Sequence, residues 1–205
     1  MSDRLEKTVG LLADLVAFPT VSGEPNGEII GYIKSYLESH GVSVLLDVTD
    51  DGQQMNLFAT IGPKVDGGII LSGHTDVVPA SADGWQGDPF VLRRDQGRLY
   101  GRGAVDMKGF VAIVLAMVPD FFAARDSLCV PIHLAFTFDE EVGCFGSARM
   151  LGCASPRGEA RTSRTPPPSF CAARRARGAT PSGARAATSS GWRCASAAAR
   201  AEKAE

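Results

Sequence analysis

The order of hydrophobic and polar residues predicts three helices in the N-terminal part of the chain. Apolar residues recur at helical spacing over 3–17, and the pattern stops at Phe18-Pro19. A second helix is predicted to follow Asn26 as its N-cap and to end at 39–41, where Gly41 suits the left-handed closing position. The long apolar stretch 107–125 predicts the third helix.

Strands are predicted where short apolar runs are bounded by glycine, proline or polar residues. These runs are residues 42–48, 56–62, 67–73 and 130–138, together with a hairpin over 90–101 that turns at Gln96-Gly97. The run "GGIILSG" (67–73) is apolar enough to be buried on both faces. Helices that alternate with near-continuous apolar strands predict a layered α/β domain with a largely parallel sheet.

The composition changes after Leu151. The remaining stretch consists mainly of Ala, Arg, Gly, Pro and Ser, which is typical of disorder and of GC-rich DNA translated in a wrong frame. Residues 1–153 carry 11 Lys+Arg against 20 Asp+Glu, whereas 154–205 carry 10 against 3. We therefore predict a structured part, 1–151, and a low-complexity tail, 152–205, that is out of frame or disordered.

Whole-chain composition disfavours several classes of function. The formal net charge of −2 gives no general attraction to nucleic acid or anionic membranes, and the arginines of the tail lack interleaved aromatic residues. The five cysteines contain no C-x-x-C, so neither a disulfide framework nor a zinc knuckle is predicted. The charged N-terminus has no apolar signal core, and no apolar run approaches the ~18 residues of a membrane helix. We expect a cytoplasmic protein that binds neither nucleic acid nor membrane.

Histidine and acidic residues follow predicted strands or precede the third helix at three places. His74 and Asp76 follow strand 67–73, Asp106 stands in a glycine-rich loop, and Asp139-Glu140-Glu141 follow strand 130–138. Ligands of open α/β sheets bind beyond the carboxyl ends of the strands, so these groups are expected to converge. An imidazole with several carboxylates suits Zn²⁺ or a similar ion. Asp76 is close enough in sequence to His74 to fix its tautomer.

Each group taken alone has a simpler interpretation. His74 and Asp76 resemble an ordinary loop pair, Asp106 a helix cap, and the acidic run a solvated helix start. "GRGAVD" is not a dinucleotide fingerprint, because Asp106 stands where the third glycine belongs. The chain contains neither a G-x-x-x-x-G-K-[ST] loop nor a G-x-S-x-G elbow. His40 and His133 are interpreted as structural.

The combination of motifs is more specific than any one of them. "LSGHTDVVPASADGWQGDPF", "GRLYGRGAVDMKGF" and "LAFTFDEEVGCFGSARML", in this order, resemble the two-zinc amidohydrolases, a family that includes acetylornithine deacetylase, succinyl-diaminopimelate desuccinylase and glutamate carboxypeptidase. "DMKGF" with "FDEEVGCFG" is most similar to the acetylornithine deacetylase branch. The resemblance extends from the first helix to about Leu151. It implies a zinc-peptidase-like domain, a small N-acyl amino acid as substrate, and two Zn²⁺ ions for which Co²⁺ substitutes.

The resemblance also implies a role for each residue. His74 would bind one zinc, Asp106 would bridge both, and Glu141 would bind the other. Glu140 would be the general base, and Asp76 would orient His74. A cis peptide bond is implied after Asp106, and the segment "FPTVSGEPN" (18–26) is similar to an N-terminal element of the family near the cleft.

The resemblance stops near Leu151. Family members continue with a third acidic ligand, a lid domain that forms the homodimer, and a final histidine ligand, whereas this chain has no histidine after His133. We therefore expect a truncated catalytic domain without the lid and dimerisation domain, a frame change between Leu151 and Pro156, and negligible activity. Two alternatives remain: succinyl-diaminopimelate desuccinylase or another N-acyl-amino-acid hydrolase of the family, and a non-catalytic remnant that binds metal or a partner.

Overall fold

The computed structural model describes residues 3–81 and 83–152. Within these ranges the chain forms four helices and six strands: α1 (Asp3–Val16), α2 (Gly27–Ser39), β1 (Val44–Val48), β2 (Met55–Ile61), β3 (Ile69–His74), β4 (Arg93–Asp95), β5 (Arg98–Tyr100), α3 (Lys108–Ala123), β6 (Ile132–Thr137) and α4 (Phe145–Met150). The helices α1 to α3 and all six strands were predicted, and the six-residue α4 was not. The predicted tail lies outside the described residues, apart from Gly152.

The main sheet has the strand order β1-β2-β6-β3. β1 pairs antiparallel with β2 and β2 antiparallel with β6, whereas β3 pairs parallel with β6. The predicted α/β class is confirmed, but the prediction of a largely parallel sheet is wrong, because the sheet is mixed. The short connection between β1 and β2 permits only a hairpin, which is antiparallel. β4 and β5 form the predicted separate hairpin, with positive φ at Gln96 and Gly97.

The core lies between the helices and the main sheet. α1 packs against α3, and both α2 and α3 contact the strands. The residues that seal this core are aliphatic or aromatic and almost fully buried: Leu15, Val16, Ile29, Ile30, Ile33, Leu37, Leu57, Leu115, Val118, Leu134 and Phe136. Burying each such side chain stabilises the fold by about 1.5–3 kcal/mol before entropy costs are counted.

The first half of β3 is more exposed than its sequence predicts. Ile69 and Ile70 are 58% and 52% exposed, while Gly73 and His74 at the end of the strand are buried. Among the described residues β3 pairs only with β6, so it is an edge strand there. The prediction of burial on both faces is wrong. An apolar run indicates a strand, but it does not say whether other elements cover both faces of that strand.

The two ends of α2 are fixed in different ways, by a positive φ after its C-terminus and by a side chain before its N-terminus. Gly41 has φ +81°, as predicted, and a Cβ added there would lie 2.7 Å from Cζ of Phe122. Asn26 occupies the predicted N-cap position, but its side chain makes no cap. Its amide instead donates to the Met55 carbonyl (2.9 Å) and accepts from the Met55 N–H (2.8 Å), which ties the start of α2 to β2. No helix in the described part of the chain is long and apolar enough to cross a membrane.

Candidate functional site

Three segments bring the predicted side chains to one edge of the sheet. β3 and β6 are parallel neighbours with His74 opposite Thr137, so the residues after each strand emerge side by side. Asp106 enters from the loop before α3, and its peptide bond to Met107 is cis, as the resemblance implied. Asp106 is not a helix cap, because Met107 holds the N-cap position of α3.

His74 is the centre of this group. Its side chain is 3% exposed, and its Nδ1 lies 2.9 Å from the carbonyl oxygen of Asp76. A carbonyl can only accept, so Nδ1 carries a hydrogen. The other ring nitrogen, Nε2, lies 3.1 Å from Oδ1 of Asp106 and 3.7 Å from Oε2 of Glu140. The contact to Asp76 therefore directs Nε2 towards the carboxylates.

The carboxylates around His74 favour its charged form. Burial lowers the pKa of His74, but hydrogen bonds to Asp76 and Asp106 outweigh burial and raise the pKa to about 9. Without a cation the imidazole is thus protonated at neutral pH. A metal ion at Nε2 would replace that proton and meet the same carboxylates.

Glu140 and Glu141 complete the cluster. One ligand atom from each of these residues and one from His74 all lie within 4.8 Å of one another. Burial raises the pKa of Glu141, and the neighbouring charge of Asp106 raises it further. The Asp106 side chain is 74% exposed, so it faces the opening of the site. Like charges held this close together indicate a place for a cation.

Asp76 is buried and links the residues that follow β3 to the acidic turn that follows β6. Its carboxylate accepts hydrogen bonds from the Ser22 hydroxyl (2.7 Å) and from the backbone N–H groups of Glu140 (3.0 Å) and Glu141 (3.3 Å). Burial raises the pKa of Asp76, but hydrogen bonds from His74 and Ser22 outweigh burial and lower it. Asp76 remains ionised and fixes both His74 and the acidic turn.

Residues 20–23, which we call the brace segment, run alongside the residues that follow β3. The Thr20 hydroxyl donates to the Thr75 carbonyl (2.6 Å), and the Val77 N–H donates to the Thr20 carbonyl (2.9 Å). The Ser22 N–H donates to the Val77 carbonyl (3.1 Å). The brace segment belongs to the motif 18–26, and these contacts place it against the site.

Lys108 anchors the start of α3. Its side chain is fully buried, and its Nζ donates to the Phe18 carbonyl (2.6 Å), just before the brace segment. Burial lowers the pKa of Lys108 to about 8, although the charge of Asp76 opposes this effect. The buried cation connects the loop of Asp106 to the N-terminal part of the chain.

The other two histidines of the described chain serve the fold. His133 lies in β6 with Nδ1 2.9 Å from the Thr60 hydroxyl and Nε2 3.1 Å from the Gly67 carbonyl. His40 follows α2, with Nδ1 2.8 Å from the Tyr36 carbonyl. Both were interpreted as structural, and their contacts agree with this interpretation.

Two residues that matter for the site's geometry were not singled out from the sequence, and a third, Asp139, was expected to converge with Glu140 and Glu141 but does not join their group with His74. Ser22 and Lys108 hold Asp76 and the start of α3, and Asp139 turns away from Glu140 and Glu141 into the interior, with 2% exposed. Ser22 lay in a noted motif, and Asp139 in a noted acidic run. A charged lysine in an apolar helix was the available signal for Lys108.

The residues fit a divalent cation. One imidazole nitrogen and carboxylate oxygens are the ligands that zinc and similar ions take, at about 2.0–2.2 Å. Ligand atoms around a tetrahedral ion at these distances lie roughly 3.5 Å apart, and the His74, Glu140 and Glu141 atoms all lie within 4.8 Å of one another. The hydrogen on Nδ1 leaves Nε2 as the ligand atom, as a metal-binding imidazole requires.

Comparison with known proteins defines the class. Residues 70–175 match the family described as Peptidase family M20/M25/M40, and the chain belongs to this family of metal-dependent hydrolases. The matched stretch contains all five predicted site residues and continues past the described part of the chain.

Individual proteins that resemble this chain include amide hydrolases and peptidases. The chain is 34% identical to an acetylornithine deacetylase from Proteus mirabilis, in an alignment that covers 72% of this chain and 39% of the deacetylase. It is 32% identical to an acetylornithine deacetylase from Shigella sonnei, with the same coverage of both chains. Among solved structures, human carnosine dipeptidase 1 matches at 28% identity and a TM-score of 0.60, over 71% of this chain and 34% of that one. An M20 family metallo-carboxypeptidase from Sulfolobus solfataricus matches at 25% identity and a TM-score of 0.62, over 78% and 36%. The chain spans about two fifths of the length of its deacetylase relatives.

Proposed function

We propose that this chain carries the metal-binding and proton-transfer part of an amide hydrolase that removes the acetyl group from N-acetylornithine. The observation that carries the proposal is the convergence of His74 Nε2 with carboxylates from two other segments, at 3.1 Å from Asp106 and 3.7 Å from Glu140. The deacetylase relatives supply the substrate class. The products would be acetate and ornithine.

Each of the five side chains has a proposed role. His74 would hold one metal ion, Asp106 would be shared between two, and Glu141 would hold the second; Zn²⁺, or Co²⁺ in its place, would be the ion. Asp76 orients His74 through the contacts at Nδ1. Glu140 would be the general base, because its Oε2 lies 3.7 Å from Nε2 of His74 while its side chain remains 42% exposed to an entering substrate and water.

Bound metal would polarise the amide carbonyl and stabilise the negative charge that develops on its oxygen. The Glu140 carboxylate accepts a proton from the attacking water and returns it to the leaving amine nitrogen. Asp76 keeps the acidic turn in place during this transfer, since it accepts the N–H of Glu140 itself. The proposed base, Glu140, is therefore a residue whose backbone N–H is held by Asp76.

The same residues would serve a related substrate. Cleavage of succinyl-diaminopimelate or another N-acyl amino acid needs the same base and the same metals, so the identity of the acyl group depends on residues outside this cluster. We propose N-acetylornithine as the substrate because the acetylornithine deacetylases are 32% and 34% identical to this chain in sequence.

We also propose that the 205-residue chain by itself turns over negligibly and behaves as a metal-binding remnant of this enzyme. It spans 39% of the deacetylase relatives' length, and His74 is the one histidine of the described part that lies in the cluster. In this proposal, 1–151 is the N-terminal part of the catalytic domain, and 152–205 is the low-complexity stretch that follows it.

Metal titration tests the proposal directly. We expect Zn²⁺ and Co²⁺ to bind the purified chain, with affinity at least about 100-fold weaker in His74→Ala and nearly unchanged in His40→Gln, a histidine control outside the site. A wild-type chain that binds neither metal would overturn the metal assignment. Glu140→Gln should still bind metal, and any hydrolysis of N-acetylornithine by the wild type should disappear in it.

A further inference from the structure

Asp139 directly precedes the two proposed functional glutamates, but it is buried where Glu140 is partly exposed. The residue is 2% exposed, whereas the neighbouring Glu140 side chain is 42% exposed. A buried carboxylate is costly unless hydrogen bonds satisfy it. The partners of Asp139 therefore indicate what it does.

One oxygen of Asp139 joins two distant parts of the chain. Its Oδ1 accepts the backbone N–H of Gly23 (2.7 Å) and the side-chain amide of Gln54 (2.8 Å). Gly23 is the last residue of the brace segment, and Gln54 precedes β2. Hydrogen bonds to an ionised acceptor are stronger than neutral ones, so both segments are held firmly to the end of β6.

The backbone at Asp139 has the conformation that turns the chain towards the site. Its φ is +50°, a region that asparagine and aspartate tolerate better than other residues with a side chain. Its carbonyl accepts the N–H of Phe145 (3.2 Å), which closes the turn into α4. Immediately after this reversal, the N–H groups of Glu140 and Glu141 point to Asp76.

We propose that Asp139 is a positioning residue, which fixes the turn that presents Glu140 and Glu141 by binding Gly23 and Gln54. Its effect on metal binding depends on the proposed function, whereas its effect on the turn does not. The brace segment is then held at two points, by Asp76 through Ser22 and by Asp139 through Gly23.

Two substitutions at Asp139 help to distinguish the effect of its hydrogen bonds from the effects of its charge and of its positive φ. Asp139→Asn keeps an acceptor oxygen and tolerance of positive φ but removes the charge. Asp139→Gly also removes the charge and permits positive φ but has no acceptor. The difference between these variants reports the hydrogen bonds together with the added backbone freedom of glycine. Gln54→Leu isolates the hydrogen bonds, because it removes one donor while Asp139 stays intact.

The first measurement is amide hydrogen exchange without metal. In Asp139→Gly we expect the Glu140 and Glu141 amides to exchange at least about tenfold faster than in the wild type, while core amides such as that of Leu134 change less. Asp139→Asn should stay near the wild type, and Gln54→Leu should fall between. Equal exchange at Glu140 and Glu141 in the wild type and Asp139→Gly would overturn the proposal.

The second measurement is Co²⁺ binding, followed by the visible absorption of the ion. We expect affinity about 10–100-fold weaker in Asp139→Gly and within about threefold of the wild type in Asp139→Asn. Leu37→Ala, a core variant distant in sequence from the site, should lose stability but keep the affinity and spectrum of the folded protein. Asparagine and glycine variants that bind equally weakly would contradict a role for the hydrogen bonds. A wild type that binds no Co²⁺ would overturn the proposed function, and amide exchange would still decide the role of Asp139.

Discussion

The carboxylate of Asp76 accepts the backbone N–H of Glu140 across 64 residues of sequence, with 3.0 Å between Oδ1 and N. The carbonyl of Asp76 also faces Nδ1 of His74 at 2.9 Å. One residue therefore sets the direction of the histidine and the position of the acidic turn. Its loss should disturb both halves of the site together.

Replacing Asp76 with asparagine should weaken metal binding by about 10–100-fold. The amide NH₂ cannot accept the hydrogen bonds that the second carboxylate oxygen takes from Ser22 and Glu141. Isothermal titration with Zn²⁺ measures the change. Asp120→Asn is the matched control, because it removes an exposed carboxylate that pairs with Arg4. Equal affinities in the two variants would contradict the role given to Asp76.

The wild type should become more stable relative to Lys108→Met as the pH rises. The folded-state pKa of Lys108 is about 8, below its ordinary value of 10.5. The unfolded chain therefore binds more protons between these values, and the cost of burying the charge, present in full below pH 8, disappears as the pH rises towards 10.5.

Urea unfolding of the wild type and of Lys108→Met at pH 7 and pH 9.5 measures this difference in unfolding free energy. From pH 7 to pH 9.5, we expect the unfolding free energy of the wild type to rise by roughly 1–2 kcal/mol relative to that of Lys108→Met. Lys64→Met, at an exposed position, controls for loss of a lysine. A difference that stays constant with pH would show that Lys108 is not a buried cation.

Two glycines of the α2 region should respond in opposite directions to alanine. Gly41→Ala should destabilise the fold by about 1–3 kcal/mol, since φ is +81° and the new Cβ would contact the Phe122 ring. Gly31→Ala should stabilise it by about 0.5–1 kcal/mol, because Gly31 lies inside the helix with no atom within 4 Å of a new Cβ. Thermal unfolding checks both, and the same sign in both variants would be inconsistent with the structure.

A charge at the edge of β3 should reduce self-association. Ile70 is 52% exposed on an edge strand of the described sheet, and apolar edge strands promote pairing between chains. Ile70→Lys should lower the concentration-dependent association measured by sedimentation velocity, with unfolding free energy changed by no more than about 0.5 kcal/mol. Val91→Lys, at a 62% exposed position outside the strands, is the control. Equal association in both variants would exclude the edge as the cause.

The elements were predictable because their signals are local. Helical spacing gave α1 to α3, and Gly41 marked a helix end through its own backbone preference. The direction of the β2–β6 pairing was not predictable, since β6 lies more than seventy residues after β2 in the chain. The exposure of Ile69 and Ile70 was missed for the same reason: burial depends on neighbours that an apolar run does not identify.

The sequence motifs indicated side chains that the structure places near one another, but they did not indicate the contacts that hold those side chains in place. His74, Asp106 and the acidic run stand in recognisable motifs after or between elements, and the structure brings them together. Three consecutive carboxylates do not reveal which one turns inward, and the partners of Asp139 come from residues 23 and 54. Such contacts follow from the packing of distant segments, which the motifs do not encode.

The complete burial of Lys108 gives the protein an internal reporter of its own unfolding. Amine-acylating reagents need an accessible, neutral amine, so the exposed Lys7 and Lys64 should react in the native protein. Lys108 should react only in molecules whose α3 has separated from the Phe18 carbonyl. Mass spectrometry after a short labelling pulse would then count the opened fraction at a single residue beside the site, without an added dye or an engineered probe.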